Sequence, residues 1–163
     1  MRRSVPLLAA LALSAACAST TTTSAPATFD SFGSFNGAKI EIVAEGGIAA
    51  LAITHSVSHD DRAYSYTLRH LCQQNCPAAL DSASGTLSAA AADSLFNIVL
   101  AQSPFTLKDD YGATKGAADM MTYTVMVTTA AGVKIIRADD GTMPQPMRRI
   151  VESTRDVIAA ARQ

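Results

Sequence analysis

The first half of the chain alternates apolar and polar residues, which is the pattern of half-buried strands. Residues 39–43 predict one strand. We expect Gly46 and Gly47 to bend or bulge this strand, which then continues over residues 48–57. After a polar turn, residues 63–71 return with their apolar side chains on one face. This stretch is therefore predicted to form one β-hairpin.

A loop, a helix and a second loop follow. Residues 76–85 predict a loop, and Ser88 is placed to cap a helix that Pro104 ends. Residues 108–119 are polar and contain glycine, so they predict another loop. The apolar positions of the helix recur at helical spacing and should face the core. They are Ala91, Leu95, Ile98 and Val99.

The last third of the chain predicts a second hairpin and a final helix. The alternation over residues 122–129 is the clearest strand pattern in the sequence, and residues 133–137 form its partner. Pro146 suits the first turn of a helix, where its missing N–H is not needed. The apolar stripe of this helix comprises Met147, Ile150, Val151, Thr154, Val157 and Ile158.

These elements predict one α+β domain over residues 38–163. The predicted order is hairpin, helix, hairpin, helix, or ββαββα. A four-stranded antiparallel sheet with both helices on one face would bury both helical stripes and one face of every strand. The prediction is therefore a two-layer sandwich, with the strands that carry Tyr64, Tyr66 and Leu68 in the same sheet as residues 122–129.

The N-terminus has the pattern of an export signal. Two arginines precede an apolar run over residues 5–13, which is shorter than the about 20 apolar residues of a transmembrane helix. The run ends in Ser14-Ala15-Ala16-Cys17, which resembles the lipobox of bacterial lipoproteins, with Ser14 where that motif usually has leucine. An ordinary secretory signal, cut after Ala16 or Ala18, is the alternative.

The resemblance implies that residues 1–16 are a signal peptide and that Cys17 carries acyl chains, enough of them for stable anchoring. Residues 17–37 are rich in Thr, Ser and Ala and predict a flexible tether. The domain would then face the periplasm from the cell envelope. Ala18 lacks the aspartate that retains some lipoproteins at the inner membrane, so we expect the outer membrane. The tether contains three phenylalanines that we expect to dock on the domain rather than on lipid: Phe29, Phe32 and Phe35.

The net charge and the cysteine content indicate which partners and which disulfide to expect. The 163 residues have a formal net charge of −1, and no Lys/Arg cluster follows a predicted face, so we expect no nucleic-acid partner. With Cys17 assigned to lipid, Cys72 and Cys76 remain, and we expect them to form a local disulfide because exported thiols tend to oxidise. Two reduced cysteines or half of a zinc site are the alternatives, although no second pair of ligands has zinc spacing.

No motif for catalysis or cofactor binding is found. The sequence lacks a Walker A loop, a dinucleotide glycine pattern, H-E-x-x-H and G-x-S-x-G. His55, His59 and His70 share one hairpin, where four residues of strand span about 13 Å, too far for one metal ion. Asp139-Asp140-Gly141 lacks the ligand spacing of a calcium loop and predicts a turn. We therefore predict no metal, no cofactor and no enzymatic activity, with a serine–histidine pair formed by folding left open.

Short motifs in the domain resemble a family of inhibitors. Glu45-Gly46-Gly47-Ile48-Ala49, then Asp119 ahead of Tyr123-Thr124-Val125, and the proline-started last helix are similar to emfourin-type inhibitors of thermolysin-like metalloproteases. The resemblance spans residues 39–163 and implies a similar fold and inhibition, but it assigns no functional residue. The lipid anchor, the cysteine pair and the loop over residues 104–119 are not part of that family's pattern.

Three hypotheses follow for the function. The first is a non-enzymatic, membrane-anchored envelope lipoprotein that binds a protein partner, with a restrained metalloprotease as one such partner. The alternative is a structural or assembly lipoprotein of the cell envelope without inhibitory activity. The third, an anchored hydrolase, would need a deep polar cleft with perturbed titratable groups.

Overall fold

The part of the chain that the structure describes forms six strands and two helices. In a computed structural model, residues 35–71 and 78–163 are described. Four strands come first, β1 (Lys39–Gly46), β2 (Leu51–Ser58), β3 (Ala63–His70) and β4 (Asp81–Thr86). Helix α1 (Ala89–Ala101) follows, and then a short 3₁₀ turn at Pro104–Thr106. The last elements are β5 (Met121–Thr129), β6 (Gly132–Asp139) and helix α2 (Gln145–Ala161).

All six strands belong to one antiparallel sheet in the order β4-β3-β2-β1-β5-β6. The predicted four-stranded sheet in ββαββα order is therefore wrong. The chain runs ββββαββα, because β1 and β2 are separate strands and β4 forms where a loop was expected. The long connection from α1 places β5 against β1 rather than against β4, so β2 and β1 lie at the centre of the sheet.

The chain reverses at Gly46 and Gly47 instead of bending there. Their φ angles are +119° and +70°, which residues with a side chain rarely adopt. A Cβ on Gly46 would also lie 2.8 Å from the carbonyl oxygen of Met120. β1 and β2 then pair along their whole length, with Ile42 opposite His55. The alternation of residues is the same whether a strand bends or reverses, so the sequence pattern could not separate the two outcomes.

β4 is an edge strand built from small and polar residues, without the apolar alternation that identifies a strand in sequence. Pairing of its backbone with β3 forms it, and Tyr64 lies opposite Gly85. A Cβ on Gly85 would meet the Tyr64 ring at 2.8 Å, so the glycine lets the ring lie across the edge of the sheet. The loop prediction is therefore wrong over residues 81–85.

The core lies between one face of the sheet and both helices, which makes the fold α+β. The sheet contributes Ile40, Ile42, Val57, Val125 and Ile136, α1 contributes Leu95, Phe96 and Val99, and α2 contributes Met147, Ile150, Val151 and Ile158. The opposite face of the sheet carries no helix in the described part of the chain. By register its central positions include Glu41, Val43, Thr54, Ser56 and Thr124.

The start of each helix agrees with the sequence prediction, whereas the buried face of α1 does not. Ser88 accepts a hydrogen bond from the Ala91 amide at 3.2 Å, which confirms the predicted cap of α1. However, α1 buries Phe96 and leaves Ile98 exposed, so the prediction that Ile98 packs in the core is wrong. Pro146 lies in the first turn of α2, as expected. Neither helix in the described residues is long and apolar enough to cross a membrane.

Candidate functional site

The residues predicted to carry lipid or a disulfide lie outside the described residues. These residues are Cys17, Cys72 and Cys76. The predicted signal peptide over residues 1–16, and the predicted tether up to residue 34, lie outside them as well. Lipidation, the signal peptide and the disulfide therefore stay predictions.

Phe35 is docked on the domain. Its ring centroid lies 4.7 Å from that of His59 and 5.9 Å from that of Phe96 in α1. His59 is itself held in place, because its amide donates to the Ala38 carbonyl at 2.9 Å and its Nε2 lies 2.8 Å from Asp93 Oδ1. We call this end of the sheet, where β1 begins, the proximal end. Docking is confirmed for Phe35, whereas Phe29 and Phe32 lie outside the described residues.

The fold does not bring the three histidines together. His55 lies on the helix-covered face of the sheet, His59 contacts Asp93 at the proximal end, and His70 is exposed at the other end of β3. Within residues 35–71 and 78–163, no group of three or more His, Cys, Asp or Glu side chains could hold a metal ion. Each histidine therefore has its own surroundings and its own possible role.

The acidic segment after β6 forms a turn, and its carboxylate is used internally. Asp139 is buried and accepts hydrogen bonds from the amide and hydroxyl of Thr114 and from the amides of Gly141 and Thr142. The Thr114 amide contributes most to holding the pKa of Asp139 well below its usual range. The carboxylate therefore fastens the loop before β5 to the end of β6, which agrees with the predicted turn.

A cleft of about 440 Å³ opens between α2 and strands β2 and β3. His55 and Tyr66 line it from the sheet. The remaining lining residues come from α2 and its C-terminal end: Glu152, Arg155, Asp156, Ile158, Ala159 and Arg162. Pockets that hold small molecules have volumes of about 300–1,000 Å³. The cleft is therefore large enough for a small organic molecule.

Arg162 closes one side of the cleft. Its guanidinium lies 4.3 Å above the centroid of the Tyr66 ring and forms an ion pair of 2.7 Å with Asp81, the first residue of β4. An arginine over an aromatic ring is stabilised by the negative face of the ring. These two contacts connect the end of α2 to β3 and β4. The Arg162 side chain that bounds the cleft is therefore held in position on both strands.

His55 lies at the floor of the cleft. The residue is 7% exposed, and its Nδ1 is buried with no hydrogen-bond partner among the described residues. The ring lies 5.2 Å from that of Tyr66, which is opposite it in β3. Burial, followed by the positive charges of Arg155 and Arg162, lowers the pKa of His55 from 6.5 to about 4. The imidazole is therefore neutral at neutral pH.

The chemistry of the cleft suits binding better than catalysis. A histidine with a pKa of about 4 is a weak general base near pH 7, because the catalytic pKa works best close to the operating pH. The described residues that line the cleft include no serine, threonine or cysteine. A perturbed titratable group is thus present, as the hydrolase hypothesis requires, but the described lining places no hydroxyl or thiol of serine, threonine or cysteine beside it.

A second feature is the apolar surface at the end of the sheet opposite Phe35. Here the β1–β2 turn exposes 85% of Ile48, and Leu80 and Leu71 are 52% and 39% exposed. The Leu71 amide donates to the Ala50 carbonyl at 2.6 Å, and the Leu80 amide donates to the Leu68 carbonyl at 2.8 Å, so all these residues lie at the same end. We call Ile48, Ala49, Ala50, Leu71 and Leu80 the apolar tip.

Comparison with known proteins does not place the chain in a family. No protein-family model matches it, and no curated protein matches it significantly. The resemblances to bacterial lipoproteins and to emfourin-type inhibitors therefore stay predictions.

Both features contain residues that the sequence did not single out. Ile48 was interpreted as part of a continuous strand, and its exposure depends on the reversal at Gly46. Arg155 falls on the polar stripe of α2, where most arginines are solvated, and the sequence predicts for Tyr66 only a place in a strand of the sheet. The unpartnered nitrogen of His55 has no sequence signal at all, because it depends on what α2 places above the ring.

Proposed function

We propose that this chain is a non-enzymatic lipoprotein of the bacterial cell envelope whose domain binds a protein partner. The support for the anchor is the N-terminal sequence, in which a short apolar run ends in Ser14-Ala15-Ala16-Cys17. A lipid on Cys17 would hold residues 38–163 at the membrane surface on the periplasmic side. The outer membrane is the proposed location, because aspartate does not follow Cys17.

The observation that supports a protein partner is the apolar tip. Exposed apolar patches on soluble domains are typical of binding surfaces, since burying such surface is favourable by about 25 cal/mol per Å². Ile48 is the strongest example, because a large β-branched side chain stands 85% exposed on a tight turn. Both strands that carry this turn are fully paired, so the side chain is presented by a rigid support.

The position of the tip favours a protein over the anchoring membrane. The chain enters the domain at the proximal end, where Phe35 is packed against His59. The apolar tip lies at the other end of β1, whose eight residues span about 26 Å. A tether attached at the proximal end therefore leaves the tip on the side away from its point of entry, where it can meet a partner in the periplasm.

The anchor is tested by Cys17→Ser. We expect the mature variant to move from the membrane fraction to the soluble periplasmic fraction, because its acyl chains are lost. A matched Ser19→Cys and Cys17→Ser double variant should behave in the same way, since position 19 lies outside the motif. A Cys17→Ser protein that still sediments with membranes would contradict the lipoprotein assignment.

The partner surface is tested by photo-crosslinking in cells, with the reactive residue at position 48 and, as a control, at position 133. Val133 is 58% exposed but is the second residue of β6, at the proximal end. We expect a discrete protein adduct from position 48 that is absent from position 133. Equal labelling of both positions, or none, would contradict binding through the tip.

The resemblance to emfourin-type inhibitors indicates which partner to test first. The segment Glu45-Gly46-Gly47-Ile48-Ala49 carries part of that resemblance and also contains the apolar tip. Residues 35–163 should inhibit a thermolysin-like metalloprotease in a peptide-cleavage assay, and Ile48→Asp should abolish the inhibition, whereas Val133→Asp should not. A position-48 adduct without any inhibition would instead favour a structural or assembly role in the envelope.

The predicted disulfide is tested separately. Cys72 directly follows Leu71 of the tip, so a bridge to Cys76 would restrict the chain at this end of the domain. Because the loop it closes is short, its expected contribution is modest, about 1–2 kcal/mol. Mass analysis of protein from the periplasm, alkylated without reductant, should show neither thiol labelled. Two labelled thiols would contradict the bridge.

A further inference from the structure

We propose that the cleft between α2 and strands β2 and β3 binds an organic carboxylate, with Arg155 as the residue that pairs with its charge and His55 at the floor. This site is distinct from the apolar tip and does not depend on the lipid anchor or on the protein partner. Three features support this site: Arg155, which has no ion-pair partner among the described residues, the buried Nδ1 of His55, and the shape of the cleft.

Arg155 provides the available charge. Among the residues that the structure describes, no carboxylate lies within 4.0 Å of its guanidinium, whereas Arg162 is already paired with Asp81. A guanidinium offers two parallel N–H donors that match the two oxygens of a carboxylate. The positive charges of both arginines act on the imidazole of His55 at the floor of the cleft.

His55 is the second, independent observation. The residue is 7% exposed, it lines the cleft, and its buried Nδ1 has no partner within the described residues. A buried polar atom without a hydrogen bond is destabilising, and such atoms are rare in folded proteins. A neutral imidazole also has an N–H that can donate to an anionic oxygen. The floor of the cleft is therefore polar but not itself negative.

The acidic residues that line the cleft limit how much negative charge the ligand can carry. The apolar residues that line it indicate that the ligand also has an apolar group. Glu152 and Asp156 line the same cleft, so a dianion such as phosphate would meet more repulsion there than a singly charged carboxylate. Tyr66 and Ile158 supply aromatic and aliphatic wall, and the volume of about 440 Å³ exceeds that of a bare carboxylate group. We therefore infer a carboxylate attached to a small apolar or aromatic group.

The experiment uses the full chain and follows the His55 ring signals by NMR during titration with benzoate. Benzamide, which has the same shape without the charge, is the matched ligand control, and phosphate tests the effect of a second charge. A short apolar peptide with a free C-terminus, compared with its amidated form, distinguishes a peptide carboxylate from a free organic acid. Arg155→Gln is compared with Arg149→Gln, which removes the same charge from an exposed position of α2 outside the cleft.

We expect benzoate or the free-carboxyl peptide to shift the His55 signals, and the matching amide to leave them unchanged. Arg155→Gln should weaken binding roughly tenfold, which is the loss of one charge-assisted hydrogen bond pair, while Arg149→Gln should bind as the wild type does. His55→Phe removes the NMR reporter, so its affinity for benzoate is measured by calorimetry, where we expect weaker binding than for the wild type. No shift with either carboxylate, equal binding of the amide, tighter binding of phosphate, or equal weakening by both arginine variants would each overturn the proposal.

Discussion

The buried histidine at the floor of the cleft makes the stability of the domain depend on pH in a defined window. In the folded protein the pKa of His55 is lowered from 6.5 to about 4, first by burial and then by Arg155 and Arg162. The other groups that face it are the ring of Tyr66 and, at the rim, Glu152 and Asp156. The folded state therefore favours the neutral imidazole. In the unfolded chain the histidine takes up a proton with its ordinary pKa of 6.5.

The direction in which the free energy of unfolding changes with pH follows from the number of protons that each state binds. Between pH 6.5 and about 4 the unfolded state holds more protons than the folded state, so the free energy of unfolding falls as the pH falls. The stabilisation is complete above the unfolded pKa and is lost by the time the pH reaches the folded pKa. At about 1.4 kcal/mol per pKa unit, a fall from 6.5 to about 4 corresponds to a loss of up to about 3 kcal/mol.

Urea unfolding followed by circular dichroism at a series of pH values measures this loss. His55→Phe keeps a ring of similar size beside Tyr66 and cannot take up a proton. The difference in unfolding free energy between wild type and His55→Phe should therefore change by up to about 3 kcal/mol across the window. Arg155→Gln should reduce the change, because it removes one of the charges that lower the pKa.

Two results would refute this reasoning. If wild type and His55→Phe lose stability in parallel between pH 6.5 and about 4, the imidazole is not held neutral by the fold. If the wild type instead becomes relatively more stable as the pH falls, the protonated ring has a partner in the folded state. Further loss below this window is expected for both proteins, because the lowered pKa of Asp139 stabilises the folded state above its ordinary value of 3.8, and this contribution declines as the pH falls below that value.

The remaining predictions concern the fold, and each is measured as a change in the free energy of unfolding in urea. Phe96→Ala should cost about 3–5 kcal/mol because the ring is fully buried, whereas Ile98→Ala on the exposed side of α1 should cost clearly less; equal costs would contradict the observed rotation of the helix. Ser88→Ala should cost about 1 kcal/mol through loss of the cap, and Ser88→Asp should retain most of it. Gly46→Ala should destabilise the domain, because its φ of +119° is strained for alanine and the new Cβ would lie 2.8 Å from the Met120 carbonyl oxygen; an unchanged midpoint would mean that the turn can rearrange.

Local sequence patterns determined much of the secondary structure. β5 and α2 were predictable because their apolar positions repeat with the period of the element, and one face of each is buried. The cap at Ser88 and the position of Pro146 depend on the backbone of a single turn, so they too could be inferred without the rest of the chain. These features need no information about distant residues.

The number and order of strands were decided by tertiary structure. The glycine pair at Gly46 fits a bulge or a reversal equally well, and the reversal is selected because β1 then pairs with both β2 and β5. β4 has almost no strand signal of its own, and forms because β3 offers a free edge and Gly85 leaves room for the Tyr64 ring. Pairing across a sheet supplies hydrogen bonds that no local pattern encodes.

The candidate sites depend even more on the fold. Ile48 becomes an exposed tip only because the chain reverses beside it, and the rotation of α1 toward Phe96 rather than Ile98 is set by the sheet surface beneath it. Arg155 and His55 lie 100 residues apart in sequence and meet only because α2 packs across β2 and β3. The sequence determined which side chains are charged, apolar or able to lose a proton. Their burial, and therefore their pKa values and their availability to a ligand, was determined by the elements that pack around them.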